Sequence, residues 1–346
     1  MKSILVTNSE ANREIHRAKF LDLCAYYKIP IRTHVLGSYR DFVCLVLRKN
    51  EFFSDSYVQL FTPKVILLLF PLLAITGKKY FVHLTGLGLL YYQNKFVRRI
   101  FIFFMKIAIK YSEGWTSQNL HDGLIFINQG CNEKTFHVLG FGGFHNENTF
   151  FDSSVREYPP DTLRRRGFGS SAAIRFGYVG RPIRDKGFGL LLDAIDLIPP
   201  SAKILISVVG TRQAKSMRSK FRNRNNDFIE YIPFRDDITA IYRELDFVIL
   251  PSFGEGIPRV CVEAMCCGVP LITFNAPGIS ECVKDNFNGL ICQERSSQSL
   301  ANLILCCTSL DNSVYDFLSY NARAWADTQS HVKGLSLFIR ALGENR

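Results

Sequence analysis

The chain of 346 residues is 47% hydrophobic, holds 13 prolines and ten cysteines, and carries a formal net charge of +11. Its length exceeds what one ordinary core serves and predicts two domains, while the absence of low-complexity runs and fixed-period repeats excludes a disordered, fibrous or solenoid protein. The cysteines form no Cys-x-x-Cys pair, which excludes zinc-finger scaffolds and leaves free thiols, most of them small core residues in a reducing compartment.

The charge is uneven. Residues 1–166 hold 22 Lys and Arg against 13 Asp and Glu, and the remainder 20 against 18. A basic first half attracts nucleic acid, anionic lipid or a phosphorylated substrate, and charge alone does not separate the three. Met1-Lys2-Ser3 runs straight into the strand-like Ile4-Leu5-Val6 with no secretory-signal pattern, so a cytoplasmic location is expected.

In chain order, short apolar runs predict strands at Ser3–Thr7, Ile31–Leu36, Tyr57–Phe61, Tyr80–Leu84 and Gly114–Ser117. Two very apolar stretches lie between them, Val65–Ile75 and Ile100–Ile109. Both fall below the roughly 20 residues that span a bilayer. The second is flanked by Arg98, Arg99, Lys106 and Lys110. Such a helix either packs in the core with snorkelling lysines or lies in a membrane interface.

Residues 150–171 collect a proline pair, arginines, glycines and serines with no apolar period, the composition of a linker. Beyond it, strands are expected at Ala172–Gly180, Ala202–Gly210, Phe247–Pro251 and Val269–Asn275. Helices at Gly187–Ile198, Asp237–Leu245 and Pro258–Cys267 alternate with them, as in a doubly wound sheet. Past Ser313 the pattern is helical. The expected division is a first Rossmann-like domain over 1–155, a second over 156–320, and C-terminal helices over 321–346 that pack back on the domains.

Two glutamates eight positions apart stand in SFGEGIPRVCVEAMCCGVP. Counted from Ile257, Val260, Cys261, Ala264 and Met265 form one apolar helical stripe, and Glu263 lies outside it. Pro258 suits the first helical position, while Gly268 and Pro270 supply the stop. A helix that starts just after Gly254-Glu255-Gly256 offers backbone N–H groups and a partial positive charge to a phosphate. Glu255 would hang over that phosphate and Glu263 would accept from a ribose diol. The alternative is a solvated helix glutamate and an unrelated turn glutamate. A second segment, FGYVGRPIRDKG, ends a strand at Gly180 and follows it with Arg181 and Lys186, two cations able to neutralise a diphosphate.

These segments resemble the family 4 retaining glycosyltransferases of the GT-B fold. VGRPIRDKG is similar to that family's diphosphate loop, PSFGEGIPRVCVEAMCCGVPLI to its Glu-x7-Glu donor motif, and NAPGISECVKDNFNGLIC to the segment that follows. The resemblance implies an α/β protein with two Rossmann-like domains facing a central cleft. It implies that Arg181 and Lys186 hold the diphosphate of a nucleotide-sugar, with Gly180 at the turn. Glu255 would contact the transferred sugar, the backbone of Gly254, Gly256, Ile257 and Pro258 would lie near the phosphates, and Glu263 would bind the ribose. It implies no metal and no cofactor beyond the nucleotide-sugar co-substrate.

The first half is similar to bacterial transferases that extend lipid-linked O-antigen or capsule units, through FTPK, HLTGLG and TSQNLHDG. That likeness implies a polyprenyl-diphosphate-linked acceptor and peripheral attachment to the anionic cytoplasmic face of the inner membrane; for the donor, a UDP-sugar is the first expectation and GDP-mannose the second. Two departures bear on the acceptor side. After the first strand the chain offers Asn8, Ser9 and Glu10 where the family has a glycine-rich turn. Near the reacting carbon, His83 is the candidate catalytic histidine, with Thr85 as the alternative and a packed core role as the third reading. A nucleotide-sugar epimerase of the same fold is the rival enzyme, and a nucleic-acid-binding protein the rival without catalysis. The latter lacks the interleaved basic and aromatic motif such proteins use.

Overall fold

Short runs of β-branched and aromatic residues pair into two six-stranded sheets, both parallel throughout. The computed structural model describes residues 2–7, 31–35, 56–87, 91, 94–138, 173–210, 229–233 and 238–329. The predicted linker, the turn at Asn8–Glu10, Cys24, Cys44 and the chain beyond 329 lie outside them. The described residues fall into two compact units. One holds the first sheet together with Glu255–Ile257, and the other holds the second sheet.

The first sheet comprises β1 (Lys2–Thr7), β2 (Ile31–Val35), β3 (Ser56–Phe61), β4 (Tyr80–Leu84), β5 (Gly114–Ser117) and β6 (Phe136–Val138), in the order β2-β1-β3-β4-β5-β6. Helices α1 (Pro63–Ile75), α2 (Lys95–Lys110) and α3 (Leu120–Ile127) belong to the same unit. Pro63 stands at the first position of α1, where its missing N–H costs nothing and its fixed φ suits a helix. Asn94 caps α2 by accepting from Val97 N at 3.0 Å. Val58, Leu60, Leu69, Leu73, Val82, Phe101, Met105 and Trp115 make one buried cluster. Tyr80 donates its hydroxyl to Ala108 O at 2.8 Å, fastening β4 to α2. Burial pushes this phenol up to about 12, so the donor is retained at ordinary pH.

The second sheet comprises β7 (Ile174–Val179), β8 (Ile204–Val209), β9 (Ile229–Ile232), β10 (Phe247–Leu250), β11 (Leu271–Phe274) and β12 (Gly289–Cys292), in the order β12-β11-β10-β7-β8-β9. The chain enters at the middle of this sheet, runs outward to β9, then crosses back to β10 on the other side of β7. The strand order therefore reverses between β7 and β10, and open α/β sheets bind ligands outside the carboxyl ends at such a reversal. Helices α4 (Phe188–Asp196), α5 (Ile238–Arg243), α6 (Arg259–Cys266), α7 (Ile279–Cys282), α8 (Ser297–Cys307) and α9 (Asn312–Gln329) complete the unit.

The expected strands are present, each trimmed by at most two residues at an end or extended by one. Three strands were not expected: β6, β9 and β12. Of these, β6 and β9 are sheet edges whose residues are half-buried or exposed, so their sequences lack the continuous apolar run of a central strand. Helix α9 spans the expected 320/321 division. Its stripe of Tyr315, Leu318, Ser319, Ala322 and Ala326 is buried in the second unit, and the helix packs along α6. Six cysteines are buried, Cys131 is half-buried and Cys306 exposed among the described residues.

Candidate functional site

β7 ends at Val179, and the next residue, Gly180, takes φ 143°, a value open to glycine. Arg181 follows, exposed, and its carbonyl accepts from Tyr178 OH at 2.8 Å. A single 3-10 turn over Arg184–Lys186 leads to Gly187 at φ 66°, the residue before α4. A Cβ at Gly187 would overlap the carbonyl oxygen of Pro251, so this position admits glycine alone.

That near-contact brings the loop after β7 against the loop after β10. Phe253 N donates to Asp185 O at 3.1 Å, and Ser252 Oγ donates to the same carbonyl at 3.1 Å. The cation-bearing turn and the Pro251–Gly254 segment are thus fastened together at the carboxyl ends of the two strands that flank the reversal. Arg181 and Lys186 are brought to this edge, as is an unanticipated third cation, Arg295. Its Nη2 donates to Asn275 O at 2.8 Å, and its guanidinium lies 5.5 Å from the centre of the Phe253 ring. It follows β12, whose four residues gave no strand signal, and so escaped sequence reading.

Helix α6 begins one residue later than expected. Pro258 has ψ 122°, which makes it the N-cap, and no side chain caps the first turn. The helix also departs from a one-stripe pattern, since Cys261, Val262, Glu263, Ala264, Met265 and Cys266 are all buried. The physical reason is α9, which covers the face that an ordinary doubly wound helix leaves to water. From α9, Arg323 Nη1 donates to Cys266 O and Ser319 Oγ to Gly268 O, meeting carbonyls at the end of α6.

Glu263 is therefore enclosed, not solvated. Oε2 accepts from Tyr242 OH at 2.9 Å, and Oε1 accepts from Arg259 Nε at 3.3 Å and Nη2 at 3.2 Å. Burial, with Glu263 alongside, drives the Tyr242 phenol well above its ordinary range, so it remains a donor. Neither Tyr242 nor Arg259 was singled out from the sequence. Arg259 was legible in principle, four residues before Glu263 on one helix.

In the first unit, Glu255–Ile257 meets the loops that follow β4 and β5. Asn119 Nδ2 donates to Gly256 O at 2.9 Å and to Glu255 O at 3.3 Å. Its Oδ1 meanwhile accepts from Asp122 N at 2.7 Å, capping α3. A Cβ on Gly256 would overlap Gln118 Oε1. Residues Gln118 and Asn119 of the TSQNLHDG stretch thus hold the backbone that carries Glu255.

His83 requires a correction. It lies within β4 with no exposed surface, Nδ1 2.9 Å from Thr116 Oγ1, Nε2 2.7 Å from Gln59 Oε1, and its ring stacked on Phe61 at 4.2 Å. Both nitrogens are engaged inside the sheet, so it is a packed core histidine and leaves the list of candidate catalytic residues. Thr85, just past the strand end, is half-buried.

Residues 164–325 match the family described as Glycosyl transferases group 1. Among curated relatives, an uncharacterized glycosyltransferase of Methanocaldococcus jannaschii is 30% identical over 131 residues, 37% of this chain and 36% of the relative. The N,N'-diacetylbacillosaminyl-diphospho-undecaprenol alpha-1,3-N-acetylgalactosaminyltransferase of Campylobacter jejuni is 22% identical over 228 residues, 65% of this chain and 60% of the relative. The chain thus spans less than two thirds of either relative's length. Among solved structures, Anabaena HepE in complex with UDP-glucose superposes with a TM-score of 0.72 at 21% identity, covering 100% of both chains. At that identity the likeness establishes the fold, the two-sheet GT-B architecture. The chain thus has the GT-B fold, and the stretch that matches the glycosyl transferases group 1 family, residues 164–325, contains the second sheet.

Proposed function

We propose that this protein is a retaining glycosyltransferase that moves a hexosyl or N-acetylhexosaminyl group from a nucleotide-sugar, a UDP-sugar first, to a saccharide on polyprenyl diphosphate. The observation that carries this reading is the fastening of the Arg181–Lys186 turn to the Pro251–Gly254 segment at the reversal point of the second sheet. In it, Arg181, Lys186 and the uncapped start of α6 stabilise the departing diphosphate, and Glu255 contacts the sugar. Glu263 takes the ribose, and the acceptor hydroxyl approaches the face the diphosphate leaves. Such catalysis is electrostatic and positional, and the reading assigns charge neutralisation to protein groups without a metal.

The acceptor half rests on the Campylobacter relative, named for an undecaprenol-diphosphate acceptor, and on α2. Among the described residues no helix is long and apolar enough to cross a membrane. Yet Phe96, Ile100, Phe103, Phe104 and Tyr111 of α2 and its C-cap are exposed beside Lys95, Arg99 and Lys110, with no acidic residue in the helix. An apolar stripe edged by cations suits an anionic bilayer surface, where a polyprenyl acceptor resides.

Thermal shift with UDP, GDP and their sugars tests the donor half. One nucleotide should raise the melting temperature of the wild type, and Lys186→Ala should abolish that rise. Transfer to polyprenyl-linked saccharides in membranes, with the product anomer read by NMR, tests the rest. Conversion of the free nucleotide-sugar to an epimer, or nucleic-acid binding tighter than any nucleotide response, would overturn the reading.

A further inference from the structure

Glu255 stands between Gly254 and Gly256, and glycine gives a backbone more conformational freedom than any other residue. A carboxylate carried on such a turn keeps one direction only if the peptides beside it are held. Upstream, Ser252 and Phe253 are tied to Asp185 O. Over Glu255 and Gly256 themselves the tie comes from the loop after β5, in the unit to which Glu255–Ile257 belongs.

Asn119 is the clamp in that loop. It has no exposed surface, the Ser117 hydroxyl donates to its carbonyl, and the neighbouring Gln118 N donates to Leu84 O at 3.0 Å. Its Oδ1 accepts from Asp122 N, which settles which end of the amide is oxygen. Nδ2 therefore faces two carbonyls, Gly256 O at 2.9 Å and Glu255 O at 3.3 Å. Peptide units are planar, so holding these two carbonyls restrains rotation about the Cα–C bonds of both Glu255 and Gly256. Gln118 closes the remaining space, its Oε1 lying where a Cβ on Gly256 would be.

We infer, resting on the proposed role of Glu255 at the transferred sugar, that Asn119 is a positioning residue for donor-sugar recognition: its amide holds the glycine-flanked backbone that aims the Glu255 carboxylate. Asn119 acts on the sugar only through Glu255. Its removal falls on the sugar's share of donor affinity and spares the nucleotide's, because Arg181 and Lys186 belong to a different loop, after β7. A glutamate between two glycines would otherwise spend much of its time away from the geometry that binding and transfer need.

Isothermal titration of the full chain with UDP, and with UDP-glucose, UDP-galactose and their N-acetylhexosamine counterparts, tests it. Glu255→Ala should weaken the preferred UDP-sugar about tenfold, the cost of one lost bond to a charged group, and UDP by no more than about twofold. Asn119→Ser keeps a capping oxygen for α3 but removes the N–H groups that hold the two carbonyls. It should weaken the same UDP-sugar at least about fivefold, leave UDP within about twofold, and add nothing further when combined with Glu255→Ala. A merely structural role would instead add its loss to that of Glu255→Ala. Asn119→Asp keeps the length and the cap but turns an acceptor toward the carbonyls, so it should lose more than Asn119→Ser and serves if the serine variant does not fold. Additive losses in the double variant, or unchanged UDP-sugar binding in a folded Asn119 variant, would overturn the inference. UDP-sugar binding unchanged in Glu255→Ala, or absent from the wild type, would instead count against the proposed function, so the two failures are separable.

Discussion

Helices α2 and α6 depart from ordinary polarity in opposite senses. In α2, Phe96 and Phe103 are 72% and 59% exposed, although Phe101 and Met105 show that the helix has a core face for apolar groups. In α6, a carboxylate lies on a helix with six consecutive buried residues. Each arrangement costs free energy when the chain is considered alone. Exposed phenyl surface forgoes about 25 cal/mol per Å² of possible burial. An enclosed carboxylate loses hydration worth several kcal/mol, which Arg259 and Tyr242 offset. On the proposed function, the two departures serve different partners. An unpaid apolar stripe with cations fits an anionic, greasy surface, and an enclosed acceptor fits a hydroxylated ligand.

Three variants would break or sharpen that contrast. The largest effect belongs to the loop beside α6. Gly187→Ala should cost about 3 kcal/mol in denaturant unfolding, because positive φ strain adds to displacement of a backbone carbonyl that cannot swing aside. It should also weaken nucleotide binding. A destabilisation below about 1 kcal/mol would mean that the two loops are not fastened as described.

Next comes His83, the first unit's own enclosed polar group. His83→Leu leaves Gln59 Oε1 and Thr116 Oγ1 without the bonds they make now, an expected cost of about 2 kcal/mol. Transfer activity per folded molecule should be unchanged. Loss of turnover without loss of stability would return His83 to the reacting centre. Burial of a polar group does not by itself mark a site: His83 bonds through both ring nitrogens to neighbouring strands of its own sheet, whereas Glu263 is held by Tyr242 and Arg259 of two helices.

The smallest change in stability is expected on α2. The double substitution Phe96→Ser and Phe103→Ser should alter unfolding free energy by no more than about 0.5 kcal/mol, since both rings are exposed. Sedimentation with vesicles of anionic phospholipid should nevertheless fall at least about tenfold, and should fall likewise with salt for the parent chain. Equal binding to neutral and anionic vesicles would remove the cations from the account.

Most strands of both sheets, the cation pair after β7 and the glycine turn before α6 were legible in residue order. Each rests on local rules: apolar runs bounded by glycine or proline, φ preferences, and the spacing of charged groups along a few residues. The neighbourhood of Glu263 was not. Periodicity put it outside the apolar stripe, and it is the return of α9, with Ser319 and Arg323 reaching the end of α6, that encloses the helix. In the same way, nothing near Asn119 in the chain foretells that its amide holds the backbone at Glu255 and Gly256, 136 and 137 residues on. Local chemistry set which segments could bind a pyrophosphate. Packing between distant segments set which polar groups are shut in and which are held in place, because burial is a property of neighbours and not of sequence spacing.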